Sequence, residues 1–506
     1  MSKVTINNFS GNLSTDTRET STVNFAMSRN FNLLTHFDSL VPFTGMTSMT
    51  TSTFKITDFL YVNGGNGIGS NVLGYGVQAG QGSTGKPELY MTDALPGTAW
   101  TTALTVTGTA TLTRGLNNNL FHLYKGYVYF GVGGGAISRV GNLETSGTGA
   151  TWTESWNTSF SFTSLTQAVT HPKDDTMYFG WNNTGSAGGI AKWDNSTFTA
   201  SVIALPSGMI VTSVAPYGNY LAIAVKPISL IGNSYVYLWD RDSSLVTLAD
   251  SIDWGNGQLN ILETVDGVLV GVSIISSSIF DIIPRLSIQG YTGGTPQEIN
   301  TIVMESTTTS MSTKKYKQWN NLYFSANMRL NSEQRFGLWA CGKNKDGKFI
   351  VTGDILVNND TEPTSIEGFA KFNDTSYVAF NDGSTNRTLN NGSYAGTAIY
   401  ETLINHSMPI ADRTSFKQLV SVQLNYENLP QNGVITLKYR VDSGAYSTIF
   451  TDTTDSSNHT TMNVCSDGTE FTSGYEYEFR VESQGGAVPT SIAYNYKVLD
   501  SNIDAN

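Results

Sequence analysis

Charged residues are scarce in this chain. Asp, Glu, Lys and Arg make up 14% of its 506 residues, and acidic residues outnumber basic ones by 41 to 29. No run of basic residues occurs anywhere in the sequence. Because proteins that bind nucleic acid neutralise its phosphates with clustered Lys and Arg, the sequence carries no nucleic-acid-binding signature.

Long apolar runs are also missing. No stretch approaches the roughly 18 apolar residues that a membrane-spanning helix needs. The first residues, MSKVTINNFS, lack the apolar core of a secretory signal peptide. These absences predict a soluble protein without a membrane segment that is made in a reducing cytosol.

Cysteine and histidine are too few and too scattered to indicate chemistry. We expect Cys341 and Cys465 to be inert thiols, with a disulfide between them as the alternative. The five histidines do not stand at metal-ligand spacing, and no Cys-x-x-Cys or His-x-x-x-His occurs. The sequence therefore predicts neither a metal nor a cofactor.

Sequence motifs of catalysis are absent as well: there is no Gly-x-Ser-x-Gly and no Walker loop. The glycine-rich stretches Asn63–Ser70 and Gly131–Ala136 stand between predicted strands, which favours hairpin loops over phosphate-binding loops. The stretch Thr145–Trp152 resembles the Ser/Thr-x-Asp-x-Gly-x-Thr-Trp turn of sialidases, but Gly147 replaces the aspartate. We predict that the chain is not an enzyme.

What the chain has in abundance is glycine, with 50 residues, together with Ser, Thr, Asn and aromatic residues. Turn formers combined with β-branched and aromatic residues are typical of short strands joined by tight turns. The composition predicts an all-β protein.

One phrase recurs along the chain. GYVYFGV at Gly126–Val132 is followed by DTMYFGW at Asp175–Trp181, and five more short apolar segments match these two. The positions equivalent to Phe130 are Val62, Phe179, Ile223, Val270, Phe324 and Phe380. Most intervals are near the roughly 40–50 residues of a four-stranded propeller blade. We predict a seven-bladed β-propeller over residues 51–404, with TAIYET at Thr397–Thr402 as the third strand of its last blade. Small residues such as Gly180 and Gly271 follow the apolar segments, which suits strands that crowd around a central axis.

The pattern changes after Tyr400. Strands in which every second residue is apolar follow at Leu419–Leu429, Val434–Val441, Tyr475–Val481 and Ile492–Val498. Such alternation is typical of an antiparallel sheet with one solvated face. We predict an antiparallel β-sandwich domain over residues 405–506.

The first fifty residues fit neither domain, because single aromatics are spaced among polar residues. We predict an extended N-terminal assembly arm over residues 1–50, which either packs along the propeller edge or reaches onto a neighbouring subunit. Its candidate interface residues are Phe9, Phe25, Phe31, Phe37 and Phe43.

Two segments resemble virion proteins of tailed bacteriophages. Asn8–Ser14 and Asp38–Leu40 are similar to the opening of phage tail proteins, although Asn12 replaces the usual second glycine, and Phe416–Gly444 looks like the β-sandwich module that ends them. The resemblance implies a structural subunit of the nozzle, hub or fibre class, synthesised in the host cytoplasm and located in the virion tail. Its implied partners are itself, as a ring or trimer, and other tail proteins.

Two alternative functions stay open. A receptor-binding tail protein would grip a host surface glycan, with Trp156, Trp181 and Tyr291 as candidate glycan contacts that could instead fill the space between blades. A glycan hydrolase on the propeller is the other alternative.

Overall fold

The structure is a computed structural model. It describes residues 1–14, 24–43, 46–48, 54–63, 70–78, 87–92, 100–105, 119–132, 136–141, 151–157, 162–183, 188–228, 232–242, 250–275, 284–304, 311–330, 333–355, 365–372, 375–381, 386–391 and 396–499. The near-sialidase turn at Thr145–Trp152 and both glycine-rich loops lie largely outside these residues.

Strands dominate the described residues, with one short 3-10 helix at Ile410–Asp412. The strands are β1 Ser2–Ile6, β2 Phe25–Arg29, β3 Met46–Ser48, β4 Phe54–Asn63, β5 Ser70–Gln78, β6 Pro87–Thr92, β7 Trp100–Thr105, β8 Phe121–Tyr124, β9 Tyr127–Val132, β10 Ala136–Gly141, β11 Thr151–Asn157, β12 Ser164–Leu165, β13 Val169–His171, β14 Thr176–Asn182, β15 Gly188–Trp193, β16 Phe198–Ala204, β17 Met209–Tyr217, β18 Tyr220–Pro227, β19 Asn233–Trp239, β20 Asp250–Asn256, β21 Gln258–Val265, β22 Val268–Ile275, β23 Arg285–Tyr291, β24 Gln297–Val303, β25 Met311–Gln318, β26 Asn321–Leu330, β27 Glu333–Lys343, β28 Phe349–Ile355, β29 Ser365–Phe372, β30 Thr375–Asn381, β31 Asn386–Asn391, β32 Ala398–Thr402, β33 Lys417–Tyr426, β34 Val434–Val441, β35 Ser447–Asp452, β36 His459–Met462, β37 Tyr477–Gln484 and β38 Pro489–Val498.

Seven antiparallel sheets follow one another along the chain as propeller blades. In chain order, which we keep as their numbering, their strand orders are β4-β5-β6-β7, β8-β9-β10-β11, β12-β14-β15-β16 with β13 beside β14, β17-β18-β19-β20, β21-β22-β23-β24, β25-β26-β27-β28 and β29-β30-β31-β3. The predicted all-β fold with a seven-bladed β-propeller is confirmed.

The repeated phrase occupies equivalent places in six of the seven sheets. The six matched residues lie on the second strand of their sheet, between its first and third strands, and are at most 1% exposed: Phe130, Phe179, Ile223, Val270, Phe324 and Phe380. The recurrence of the phrase therefore records the recurrence of one buried position per blade.

The first blade departs from the prediction. Val62 lies on β4, the first strand of its sheet, so it is not equivalent to Phe130 on a second strand. The second strand is β5, Ser70–Gln78. This shift explains the long interval before Phe130, because both inner strands of a blade are apolar and their sequences look alike.

The seventh blade also differs from its predicted strands. TAIYET at Thr397–Thr402 was predicted to be its third strand, but it contains β32, which pairs with β37. The third strand is β31, and the fourth is β3 from the N-terminal part of the chain. The boundaries predicted at residues 50 and 404 remain predictions.

The chain divides into two compact units, of which one comprises Ser48–Met328 and Glu362–Asn391. Within this unit the second strands of the blades are tightly packed against their neighbours. A Cβ atom on Gly180 would lie 2.5 Å from Val211, and one on Gly271 would lie 2.5 Å from the Trp254 ring. Small residues after the apolar burst are thus required by close approach, as the sequence indicated.

The other unit comprises Met1–Thr47, Arg329–Thr361 and Gly392–Asn506. Two of its sheets, β1-β38-β33-β36 and β2-β32-β37-β34-β35, form the predicted antiparallel C-terminal fold. Their apolar faces meet where the Phe479 and Tyr494 rings lie 4.8 Å apart. The N-terminal residues supply one strand to each sheet, β1 and β2.

The predicted interface phenylalanines lie in this unit. Phe9, Phe25 and Phe31 are fully buried within the chain itself, where Phe9 and Phe25 pack on Tyr400 at ring distances of 5.2 and 5.6 Å. In this conformation they offer no surface to a neighbouring subunit, and their assignment to an assembly interface is corrected. Half-buried Phe37 and Phe43 keep that role only as a prediction.

One blade turn is strained. Trp319 joins β25 to β26 with φ 53° and is 84% exposed. The matching turn of the fifth blade carries Asp266 at this position, with φ 48°. Bulky side chains disfavour a positive φ, which Gly, Asn and Asp tolerate.

We expect the substitution Trp319→Asn to raise the free energy of unfolding by about 1 kcal/mol, because Asn adopts this backbone conformation at lower cost. Urea unfolding of the two proteins measures the difference. Trp319→Leu is the control, since it shortens the side chain but keeps the strain. An equal gain in both variants would assign the effect to the exposed ring and not to φ.

Candidate functional site

The clearest concave site is a partly open cavity of about 430 Å³ in the unit that holds Ser48–Met328. Its walls come from the beginnings of the first strands and the ends of the second strands of several blades. The lining residues are Asn119, Ser164, Leu165, Thr166, Asn182, Ile210, Val211, Thr212, Lys226, Met311, Ser312, Thr313, Lys314 and Ile366. In antiparallel hairpins these strand ends lie at the same edge, so the cavity lies at one end of the blades.

The first strands that form the cavity converge on β25, which shows where the propeller axis runs. Asn119 Nδ2 of the segment before β8 donates to Thr313 Oγ1 at 2.7 Å. Gln167 Nε2 donates to the carbonyl of Lys315 at 3.1 Å, and the Lys315 amide donates to Gln167 Oε1 at 2.8 Å. These bonds join the second and third blades to the sixth, across the ring.

Two buried ion pairs extend this convergence. Lys314 Nζ lies 2.8 Å from Asp58 Oδ2 of the first blade. Lys315 Nζ lies 2.8 Å from Glu263 Oε2 of the fifth blade and donates to the carbonyl of Val214 of the fourth at 2.6 Å. Burial lowers the pKa of Lys315, while Glu263 opposes this shift.

The contacts of Lys315 lie at the inner end of the cavity and close it there. Along β25 the lining ends at Lys314 and Lys315 comes next, and in the third blade the lining ends at Thr166 before Gln167. Because first strands run in the same direction, the residues that follow lie deeper along the axis. The axis is therefore blocked by side chains, and the cavity is a pocket rather than a channel.

The lining is polar but almost uncharged. Hydroxyl and amide side chains come from every contributing blade except the seventh, and the described lining contains no carboxylate. Two cations line the cavity, Lys226 and Lys314, and Lys314 is neutralised by Asp58. Such a surface can exchange hydrogen bonds with a polyhydroxylated ligand, since hydroxyls and amides both donate and accept.

Lys226 is the other cation and has no acidic partner among the described residues. Its Nζ donates to Asn260 Oδ1 at 2.8 Å and to Gln258 Oε1 at 3.2 Å, both of which are neutral. Burial lowers the pKa of Lys226 to about 8. An ammonium group has three donors, so one remains for a ligand in the cavity.

The residues predicted as glycan contacts lie elsewhere. The half-buried Trp156 ring packs against Trp193 and Tyr129 at 4.8 and 5.0 Å, and half-buried Trp181 lies in the same hydrophobic cluster. Tyr291 is 7% exposed and packs against Tyr217. Tyr291 has no face for a sugar, which corrects that assignment, while a glycan role of Trp156 and Trp181 stays a prediction.

The remaining predictions concern metal, thiols and membranes. No group of metal-ligating side chains occurs among the described residues. Cys341 and Cys465 are both buried with free thiols, as expected, and burial raises the pKa of Cys341 to about 12. In the part of the chain that is described, no helix is long and apolar enough to cross a membrane.

Sequence reasoning missed the cavity residues. Lys226 stands in AIAVKPIS and Lys314 in MSTKKYK, two ordinary strand segments with no motif. Their common location follows only from the order of the strands around the axis, so no local signal could have identified them.

No protein family and no curated protein matches this chain. Among solved structures, an exo-β-1,3-galactanase of Phanerochaete chrysosporium is similar at 10% identity and TM-score 0.34, covering 89% of this chain and 99% of the enzyme. A Trypanosoma rangeli sialidase is similar at 10% identity and TM-score 0.36, covering 91% and 96%. A GH43 endo-arabinanase of Bacillus licheniformis covers 47% of this chain and 99% of its own at 11% identity and TM-score 0.29.

These neighbours are glycoside hydrolases and sialidases, and this finding contradicts two predictions made from the sequence. The prediction of a purely structural tail component is wrong, and so is the prediction that the chain is not an enzyme. Neither is retained. At this level of identity the likeness concerns the fold alone, and it transfers no substrate to this chain.

Proposed function

We propose that the chain binds a glycan in its axial cavity. The observation that carries the proposal is a dead-end pocket at the axis whose walls are formed by hydroxyl and amide side chains from several blades. Its volume of about 430 Å³ is within the range of roughly 300–1,000 Å³ that is usual for small-molecule sites.

The shape and chemistry of the pocket support a sugar over other ligand classes. Most of the lining side chains are polar, which does not suit a wholly hydrophobic ligand, whereas sugar hydroxyls exchange hydrogen bonds with Ser, Thr and Asn. Because Lys315 and Gln167 block the axis, the ligand enters from one side only. A chain end or a side branch of a glycan fits this geometry better than the middle of a linear chain.

Hydrolysis of the bound glycan is a second candidate function, and Asp58 favours it. Its carboxyl group lies 2.8 Å from the ammonium of the cavity-lining residue Lys314, so an acidic side chain lies next to the pocket. Glycoside hydrolysis ordinarily needs two carboxylates, about 5–9.5 Å apart. The described lining contains none, so binding is the function that the geometry supports best.

We expect the purified protein to bind at least one oligosaccharide on a glycan array, and the substitution Met311→Trp to weaken that binding at least about tenfold. Met311 lines the cavity, and an indole there fills space that the ligand needs. Calorimetric titration with the best array ligand measures the affinity, and release of reducing ends from the same ligand detects hydrolysis.

Tyr220→Trp is the matched control, because Tyr220 is 37% exposed at the other end of β18 from the cavity. It adds similar bulk outside the pocket and should leave the affinity unchanged. Absence of binding to every oligosaccharide, or binding that Met311→Trp leaves intact, contradicts the proposal. Location in a virion tail and assembly as a ring or trimer with other tail proteins stay predictions.

A further inference from the structure

The electrostatic balance of the axial cavity points to the class of glycan. Of its two lysines, Lys314 already faces a carboxylate, whereas Lys226 is held by two neutral amides. A cation without a counter-ion is costly to bury, and the cost falls when an anion arrives. Among the described residues, the pocket therefore carries one positive charge that its walls do not compensate.

The surroundings of Lys226 have the features of a prepared anion site. Gln258 and Asn260 on β21 fix the ammonium at the end of β18 by accepting two of its three hydrogens. Asn260 is itself 3% exposed, and its Nδ2 lies 4.0 Å from the Met311 sulfur at the cavity wall. The ammonium is thus held in place before a ligand binds, which lowers the entropy cost of binding.

We propose that the axial cavity selects a glycan with an acidic sugar, and that Lys226 forms an ion pair with its carboxylate while the Ser, Thr and Asn side chains bind its hydroxyls. This inference rests on the proposed glycan-binding function and adds the charge of the ligand. A carboxylate on a pyranose ring combines one negative charge with several hydroxyls, which matches one uncompensated cation in a neutral polar wall.

A pH dependence follows from this arrangement. Burial lowers the pKa of Lys226 to about 8, so the free protein carries the charge below pH 8 and loses it above. A carboxylate ligand binds the protonated form, so its affinity should be constant below pH 7 and fall about tenfold per pH unit above pH 8. Among the described residues, the other charged groups near the pocket are the Lys314–Asp58 pair and the Lys315–Glu263 pair, and Lys317 lies 4.0 Å from Glu263.

The test compares two ligands that differ in one group. The first is an oligosaccharide with a single glucuronic acid residue at its non-reducing end, and the second is the same oligosaccharide after reduction of the carboxyl to a primary alcohol. We expect the acidic form to bind the intact protein at least tenfold more tightly at pH 7. Only its affinity should fall between pH 8 and pH 9.

Three variants test whether Lys226 causes the preference for the acidic ligand and its pH dependence. Lys226→Met should remove the preference for the acidic form and its pH dependence. Lys226→Arg should keep the preference and shift the loss of affinity to higher pH, because arginine stays protonated. Lys173→Met removes an exposed lysine at the other end of the third blade and should change nothing.

The outcomes separate the two proposals. Equal binding of the acidic and neutral forms, or a preference that survives in Lys226→Met, overturns the role of Lys226 and leaves glycan binding intact. Absence of binding of both forms, together with a silent glycan array, overturns the proposed function itself. Circular dichroism of each variant confirms that a lost affinity is not a lost fold.

Discussion

Replacing Lys315 by methionine should lower the free energy of unfolding by about 3–5 kcal/mol. The Glu263 carboxylate is 7% exposed and lies 2.8 Å from Lys315 Nζ. Without that partner it keeps Lys317 at 4.0 Å and the amide of Thr264 at 3.0 Å. Removing one partner of a buried ion pair leaves a charge in a medium that solvates it poorly, which costs several kcal/mol.

The position of Lys315 makes the effect larger than that of an isolated pair. Its ammonium also donates to the carbonyls of Val214 and Leu262, so one side chain joins the fourth, fifth and sixth blades at the axis. Loss of these bonds leaves two buried carbonyls without that donor. We expect hydrogen exchange to rise in β17, β21 and β25 together.

Urea unfolding followed by tryptophan fluorescence measures the loss. The double variant Lys315→Met with Glu263→Gln should regain more than half of it, because removing both charges of a buried pair is often nearly neutral. Lys125→Met is the matched control, since its pair with Asp175 is exposed at 41% and 62% of the two side chains and should contribute less than about 1 kcal/mol. A loss below about 1 kcal/mol for Lys315→Met would show that Lys315 does not hold the blades together at the axis.

The second large effect is expected in the C-terminal sheets, where Glu401 is completely buried. It is the direct cross-strand neighbour of Arg480 and forms an ion pair with it. Beside it, Arg440 binds both carboxylate oxygens of Glu478 at 3.0 and 2.8 Å. The Tyr446 ring covers both guanidinium groups, at 4.2 Å from Arg480 and 4.9 Å from Arg440.

We expect Glu401→Gln to cost about 3 kcal/mol, because the amide keeps the shape of the side chain but removes the buried negative charge that faces Arg480. Hydrogen exchange in β32, β34 and β37 of the full chain measures the local stability. Glu482→Gln is the control: its pair with Lys438 is more exposed, at 26% and 18% of the two side chains, and should contribute less than about 1 kcal/mol. Equal protection in the two variants would contradict a special role for the buried pair.

The blades were predictable from sequence where the second strand is the most apolar burst of its repeat. Phe130, Phe179 and Phe324 fulfil this condition, and each is fully buried on a second strand. The first blade is an exception, because its first strand, FKITDFLYVN, has the same apolar pattern as a second strand. Period-two patterns report that a strand is buried and cannot report its place in the sheet.

The sequence did not allow us to predict which strands close the ring of blades. The third strand of the seventh blade, NRTLNN, has one apolar residue, so the next apolar burst, TAIYET, was taken in its place. The fourth strand is the three-residue β3, about 340 residues before β31 in the chain. Such a pairing depends on which edge is free when the other blades have formed, and a three-residue segment carries no pattern of its own.

The N-terminal phenylalanines illustrate the same limit. Their spacing among polar residues could not reveal which surface covers them. The structure places Phe9 and Phe25 against Tyr400 and adds β1 and β2 to the C-terminal sheets. Residues far apart in sequence bury one another, and composition alone does not choose the partner.

By itself, the sequence determined that this chain is an all-β protein with a repeated four-stranded unit and a separate run of alternating strands, because strand periodicity and turn residues are local properties. Only the tertiary structure decided that β25 lies across the axis, that Lys314 has a counter-ion and that Lys226 has none among the described residues. Whether a buried charge has a counter-ion depends on the groups that folding brings within a few ångströms of it. Those groups come from different blades, so their proximity cannot be read from the sequence.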